Sequence, residues 1–220
     1  MTAPAPAYRR LFWAFIFAAA FAFVEAAVVV YLRALYYPGG FVFPLRVLST
    51  DHIAVELARE FSTLVMIMAV ASIAAVRSWE RFALFMFIFG IWDIFFYLWL
   101  KVCINWPVTL FDWDILFLIP LPWIGPVIAP VLVALTLVVC GAAIVLRIEK
   151  GIVIRLTAAS IVLWACGTAV ILYSFIYDTA ATLRGMVPLP YRYELLAIGL
   201  ALYIASFVTL KTVKAVPDPQ

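Results

Sequence analysis

Six runs of about twenty mostly apolar residues take up most of this chain, and they dictate what can surround it. A helix of that length matches the roughly 30 Å hydrocarbon core of a bilayer. The runs cover residues 11–32, 53–76, 82–104, 126–146, 152–177 and 195–210. Hydrophobic residues make up 68% of the chain and charged residues 12%, against about 45–50% and about 25% in a soluble domain. Lipid, not water, must cover that much apolar surface. The expected fold is therefore all-α: one polytopic transmembrane helix bundle over residues 1–220, in a prokaryotic cytoplasmic (inner) membrane.

Two of the runs need closer reading. Arg9-Arg10 before Leu11-Phe12-Trp13 has the outline of a signal peptide. The apolar stretch continues to Leu32, beyond the usual 7–15 residues of a signal core, so it reads as an uncleaved first span. The fourth region begins at Ile115 and carries Pro120, Pro122, Gly125, Pro126 and Pro130. Proline lacks a backbone donor and clashes with the preceding turn. A short interfacial or re-entrant piece near Ile115–Ile119, a break, and a helix from about Pro126 are expected. Irregular backbone at membrane depth must be covered by protein or line a wet cavity.

Short loops enriched in Lys and Arg mark the cytoplasmic side. Six spans gather Arg9, Arg10, Arg77, Arg81, Arg147, Lys150, Arg155, Lys211 and Lys214 on one side. Arg33, Arg46, Lys101, Arg184 and Arg192 fall on the other. Nine against five places both termini in the cytoplasm. The tail from Val216 to Gln220, with two prolines, reads as a disordered end. A net charge of +3 spread over short connections does not form the basic patch that nucleic acid requires. Cys103, Cys140 and Cys166 lack ligand-like or redox spacing and read as packing residues. No phosphate loop, dinucleotide glycine motif or nucleophile elbow occurs, and no cofactor is identified.

Ionisable residues within apolar runs are costly, which makes them candidates for function. Glu25 lies on a stripe with Ala18, Ala22, Ala26 and Val29 and so points into the bundle. Asp93 begins a stripe continued by Tyr97 and Lys101. The second run opens with His52, Glu56 and Glu60 at spacings of four, beside Arg59 and Thr63. His52, Glu56 and Glu60 are candidate ligand types for a metal such as zinc or iron, in a chain with a single histidine. Arg59 is expected to pair with Glu25 or Asp93. Asp112 and Asp114 suit either a cation or a helix cap within a tryptophan belt.

The candidate ligand-binding or proton-handling residues are thus Glu25, His52, Glu56, Arg59, Glu60, Asp93, Tyr97, Lys101, Asp112 and Asp114. All favour the outer half of the membrane. The leading expectation is a polar pocket there that binds or transports a small solute or lipid head group. One alternative is a membrane enzyme acting on a lipid-type substrate, with buried carboxylates as general acid and base. Another is an accessory subunit whose charges brace it within a larger membrane complex. Chain length, six spans and the alanine stripe loosely resemble the substrate-binding subunits of energy-coupling-factor vitamin transporters, a likeness that assigns no residue a role.

Overall fold

A computed structural model describes residues 6–41, 50–119 and 121–214. Helices dominate: α1 (Ala7–Tyr36), α2 (Thr50–Ala74), α3 (Ser78–Ile104), α4 (Ile128–Glu149), α5 (Ala158–Ile176), the short α6 (Thr179–Leu183) and α7 (Tyr193–Val208). The first five are long and apolar enough to cross a membrane, and α7 is apolar but only 16 residues long. Four short strands accompany them: β1 (Trp113–Phe117), β2 (Trp123–Pro126), β3 (Ile152–Arg155) and β4 (Lys211–Lys214).

Small residues determine how closely the helices approach. Ala14, Ala18, Ala22 and Ala26 form the buried stripe of α1. The central helix is α3, which packs against α1, α2 and α4. A Cβ on Gly90 of α3 would lie 2.5 Å from the Ala134 carbonyl oxygen of α4, and one on Gly141 of α4 would lie 2.5 Å from that of Ala83. Backbones this close gain dispersion contacts that lipid cannot supply. In the second helical unit α5 packs on α7, with Gly167 and Gly199 facing each other across the crossing.

The two ends of the bundle differ. At one, Arg10 pairs with Glu80, and the Ala7 N–H donates to Glu149 Oε1 at 2.6 Å. There β3 pairs antiparallel with β4, Ile152 opposite Lys214. This terminal-sheet end gathers the ends of α1, α3, α4, α5 and α7 that carry most of the basic residues. At the other end β1 and β2 form an antiparallel hairpin, Trp113 opposite Pro126, with a bulge between Ile115 and Phe117. Trp123 of the hairpin stacks on Phe175 of α5 at 6.1 Å, and the Thr179 hydroxyl donates to the Pro122 carbonyl at 2.6 Å. The hairpin therefore joins the α1–α4 bundle to the α5–α7 pair.

Three sequence expectations change in detail. Residues 115–117 of the expected interfacial piece lie in a strand, and α4 starts at Ile128. Pro130 falls in the first turn of α4, where its missing donor has no intrahelical partner to lose, while Pro122 and Pro126 belong to the hairpin. The run 152–177 is divided: residues 152–155 are β3, and a Thr157–Ser160 capping box starts α5 at Ala158. Gly151, at φ +72°, makes the turn between α4 and β3 that only glycine adopts without strain. The last run, 195–210, becomes a helix over 193–208. Arg46, Pro120 and the tail 216–220 lie outside the described residues.

Candidate functional site at the hairpin end

Two polar networks abut the hairpin. The first joins α1 to α2. Glu25, 3% exposed, forms an ion pair with Arg59. Arg59 also donates to Glu56 Oε2 through Nε at 2.9 Å and Nη2 at 2.8 Å. The Thr63 hydroxyl donates to Glu25 Oε1 at 2.7 Å. One turn before Thr63, Glu60 accepts the Leu118 N–H with its two oxygens at 2.9 and 3.1 Å. That bond ties α2 to the strand end of the hairpin. Three acids and one guanidinium thus occupy one buried seam, because the spacing of α2 puts Glu56, Arg59, Glu60 and Thr63 on adjoining turns.

The second network joins α1, α3 and β1. Arg33 Nη2 donates to Asp114 Oδ1 at 2.9 Å, with both side chains nearly buried. The Arg33 guanidinium lies 3.6 Å from the Trp106 ring centroid and 4.5 Å from that of Phe41, a geometry in which ring faces stabilise the cation. Tyr97 of α3 directs its hydroxyl toward Asp114, and the Asp114 charge also reaches Asp93, one turn before Tyr97. Asp93 Oδ2 is fully buried and has no hydrogen-bond partner among the described residues. Burial pushes the Asp114 carboxyl up to about 6, opposed by the Arg33 charge and by hydrogen bonds from the Ile115 N–H, Arg33 and Tyr97.

The remaining candidates stand apart from these networks. His52 Nδ1 meets the Tyr36 hydroxyl at 2.5 Å on an exposed face. Lys101 donates to the Pro107 carbonyl at 2.9 Å and so closes the end of α3. Asp112 accepts the Val108 N–H at 2.7 Å, the Thr109 N–H at 3.3 Å and the Thr109 hydroxyl at 2.7 Å. Burial alone would raise its carboxyl, but these donors and Lys101 together hold it below the usual carboxylate range. Asp112 and Asp114 thus engage different partners, a surface turn and a buried arginine. Arg59 takes Glu25, as one of its two expected partners, and Glu56 in place of Asp93. The stripe of His52, Glu56 and Glu60 is likewise divided among Tyr36, Arg59 and Leu118. Among the described residues no three His, Cys, Asp or Glu side chains are grouped so as to hold a metal ion.

The sequence reading did not place Arg33 in the site. The signal was present, since Glu25, Val29 and Arg33 recur every four residues on one face of α1. Trp106 and the Leu118 N–H gave no such signal, because their roles depend on how the loop and hairpin fold back.

The two networks together hold five acidic side chains (Glu25, Glu56, Glu60, Asp93 and Asp114) against two guanidiniums, Arg33 and Arg59. Among the described residues this is an excess of three acids over bases. Uncompensated charges in a low-dielectric seam are costly. The arrangement therefore has room for positive charge, delivered as protons or as a bound cation. No protein-family model matches the chain, and no curated protein or solved structure is significantly similar to it.

Proposed function

We propose that this is a six-span integral membrane protein that binds or transports a small cationic solute, or the cationic part of a lipid head group, at its hairpin end. In this reading α7 supplies the sixth crossing and both termini are cytoplasmic. The basic residues at the terminal-sheet end support that orientation. The observation that carries the functional reading is the excess of buried acids, with Asp93 Oδ2 lacking a hydrogen-bond partner among the described residues. An incoming cation would meet carboxylates on α1, α2, α3 and β1, held in place by Arg33, Arg59 and the Leu118 N–H. Protons are the other available counter-charge, so uptake of a cation is expected to release protons.

The test is a thermal-shift titration of the purified protein with sodium, potassium and a panel of small amines at two pH values. At least one cation is expected to raise the melting temperature, more at pH 8 than at pH 5, and D93N is expected to abolish the rise. A flat response across the panel in the wild-type protein would count against the reading.

A second reading has its own support. Arg59 bridges two helices through Glu25 and Glu56, and Glu60 fastens the hairpin, as in an accessory subunit braced for assembly with a partner. In that case D93N, E60Q and E56Q lower stability, and no cation response exists to be lost.

A further inference from the structure

A different place in the fold carries a second site. The α5–α7 pair meets the bundle at the hairpin through Trp123 and Thr179, and at the opposite end β3 lies against α4. Between these closures the two units stand apart, leaving a cavity of about 450 Å³. Phe82 and Met86 of α3, Leu137 and Cys140 of α4, Trp164 of α5 and Phe207 of α7 form its walls. Four of its hydroxyls are already engaged: Thr136 donates to Leu132, Ser160 to Thr157, Ser206 to Ser160, and Tyr203 meets Thr168. The interior therefore suits hydrocarbon, not a polar solute.

The rim of the cavity is basic. Ser78, Leu156 and Leu210 line it, and each is the chain neighbour of a cation: Arg77, Arg155 and Lys211. The Arg147 guanidinium lies 4.8 Å from the ring of the wall residue Phe207. The nearby carboxylates are occupied, Glu80 by Arg10 and Glu149 by the Ala7 N–H. An apolar slot thus opens beside cations that have no acidic partner among the described residues. Charge favours an anionic lipid as the occupant: the slot is apolar along its walls and runs beside basic residues at one end.

We infer that this slot holds an acyl chain of an anionic phospholipid, with the phosphate of the head group at the Arg147 rim. The site lies at the opposite end from the carboxylate networks and does not depend on the function proposed for them.

The probe is phosphatidylglycerol, compared with phosphatidylcholine of the same chains, added to detergent-purified protein and read by native mass spectrometry. One phosphatidylglycerol per chain is expected to be retained, with a preference over phosphatidylcholine on the order of fivefold, comparable to one basic contact. Glycerol phosphate lacks a chain and is expected not to compete. R147Q should narrow the preference while phosphatidylcholine retention stays the same. C140W, which fills the slot, should abolish retention of both lipids, and L137F serves as the milder filling variant if C140W does not purify. Equal retention of the two lipids by the wild-type protein would overturn the inference. So would unchanged retention in the filled variants, or a mass showing a second chain where the lipid should be.

Discussion

Arg33 serves three neighbours at once: it pairs with Asp114, which holds β1 against the end of α1, and it faces the rings of Trp106 and Phe41. Its removal should be read first at Asp114. In the wild-type protein a labelled Asp114 carboxyl is expected to titrate near 6 by infrared or ¹³C NMR spectroscopy. The Arg33 charge lowers that value, so R33Q should move the midpoint upward. The folded state holds the Asp114 proton more tightly than an unfolded chain, whose aspartate titrates near 3.9. The resulting stability is fully present below about pH 4 and is lost as pH rises through 6, a difference of roughly 3 kcal/mol. D114N should flatten that part of the stability–pH profile. Arg59 belongs to the same scale. R59L leaves Glu25 and Glu56 buried without a counter-charge and should destabilise by about 3–5 kcal/mol. T63V, which removes one hydrogen bond to Glu25, should cost about 1 kcal/mol. Glu25, Glu56 and Arg59 were readable from spacing alone, because helical periodicity places side chains without knowledge of the rest of the fold. The Glu60–Leu118 bond was not, since it needs a backbone donor from a segment 58 residues away.

The element scale divides along the same line. The long apolar runs identified α1, α2 and α3 because no other structure satisfies so many consecutive backbone groups in lipid. The short strands were hidden for the opposite reason. Segments such as Ile152-Val153-Ile154 and Trp123-Ile124 are as apolar as the helices beside them, and periodicity cannot distinguish a strand from a helix over four residues. What identifies them is a partner: β4 for the first and β1 for the second. The close helix crossings offer a direct test. A side chain at Gly141 would press into the Ala83 carbonyl and Phe87, so G141L should force α3 and α4 apart. A loss of about 1–3 kcal/mol is expected from overpacking, measured by denaturation in mixed micelles. G40A, at a glycine with open space around it but φ +103°, should cost backbone strain alone and leave the crossings intact.

At the scale of the whole molecule, the two ends make a topology that labelling can read. In a chain whose native cysteines are replaced by serine, T109C and R184C at the hairpin end should react with an impermeant maleimide in intact cells. R9C and K150C at the terminal-sheet end should react only after permeabilisation. Reaction of all four from outside would break the proposed six-span arrangement. The same map separates two kinds of chemistry within one small bundle: among the described residues, acids outnumber their basic partners at one end, and most basic residues lie at the other. Neither concentration is visible in the net charge, because the two largely cancel in the total.

The pairing of β3 with β4 also bears on how the protein is made. Ile152 waits for Lys214, and the helices α5, α6 and α7 are all synthesised between them. The ribosome must therefore finish the whole second helical unit before this contact can form, and the bundle is held at that end by the last of its described segments to emerge. A nascent chain stalled after Val208 would carry every described helix yet lack the strand that β3 pairs with.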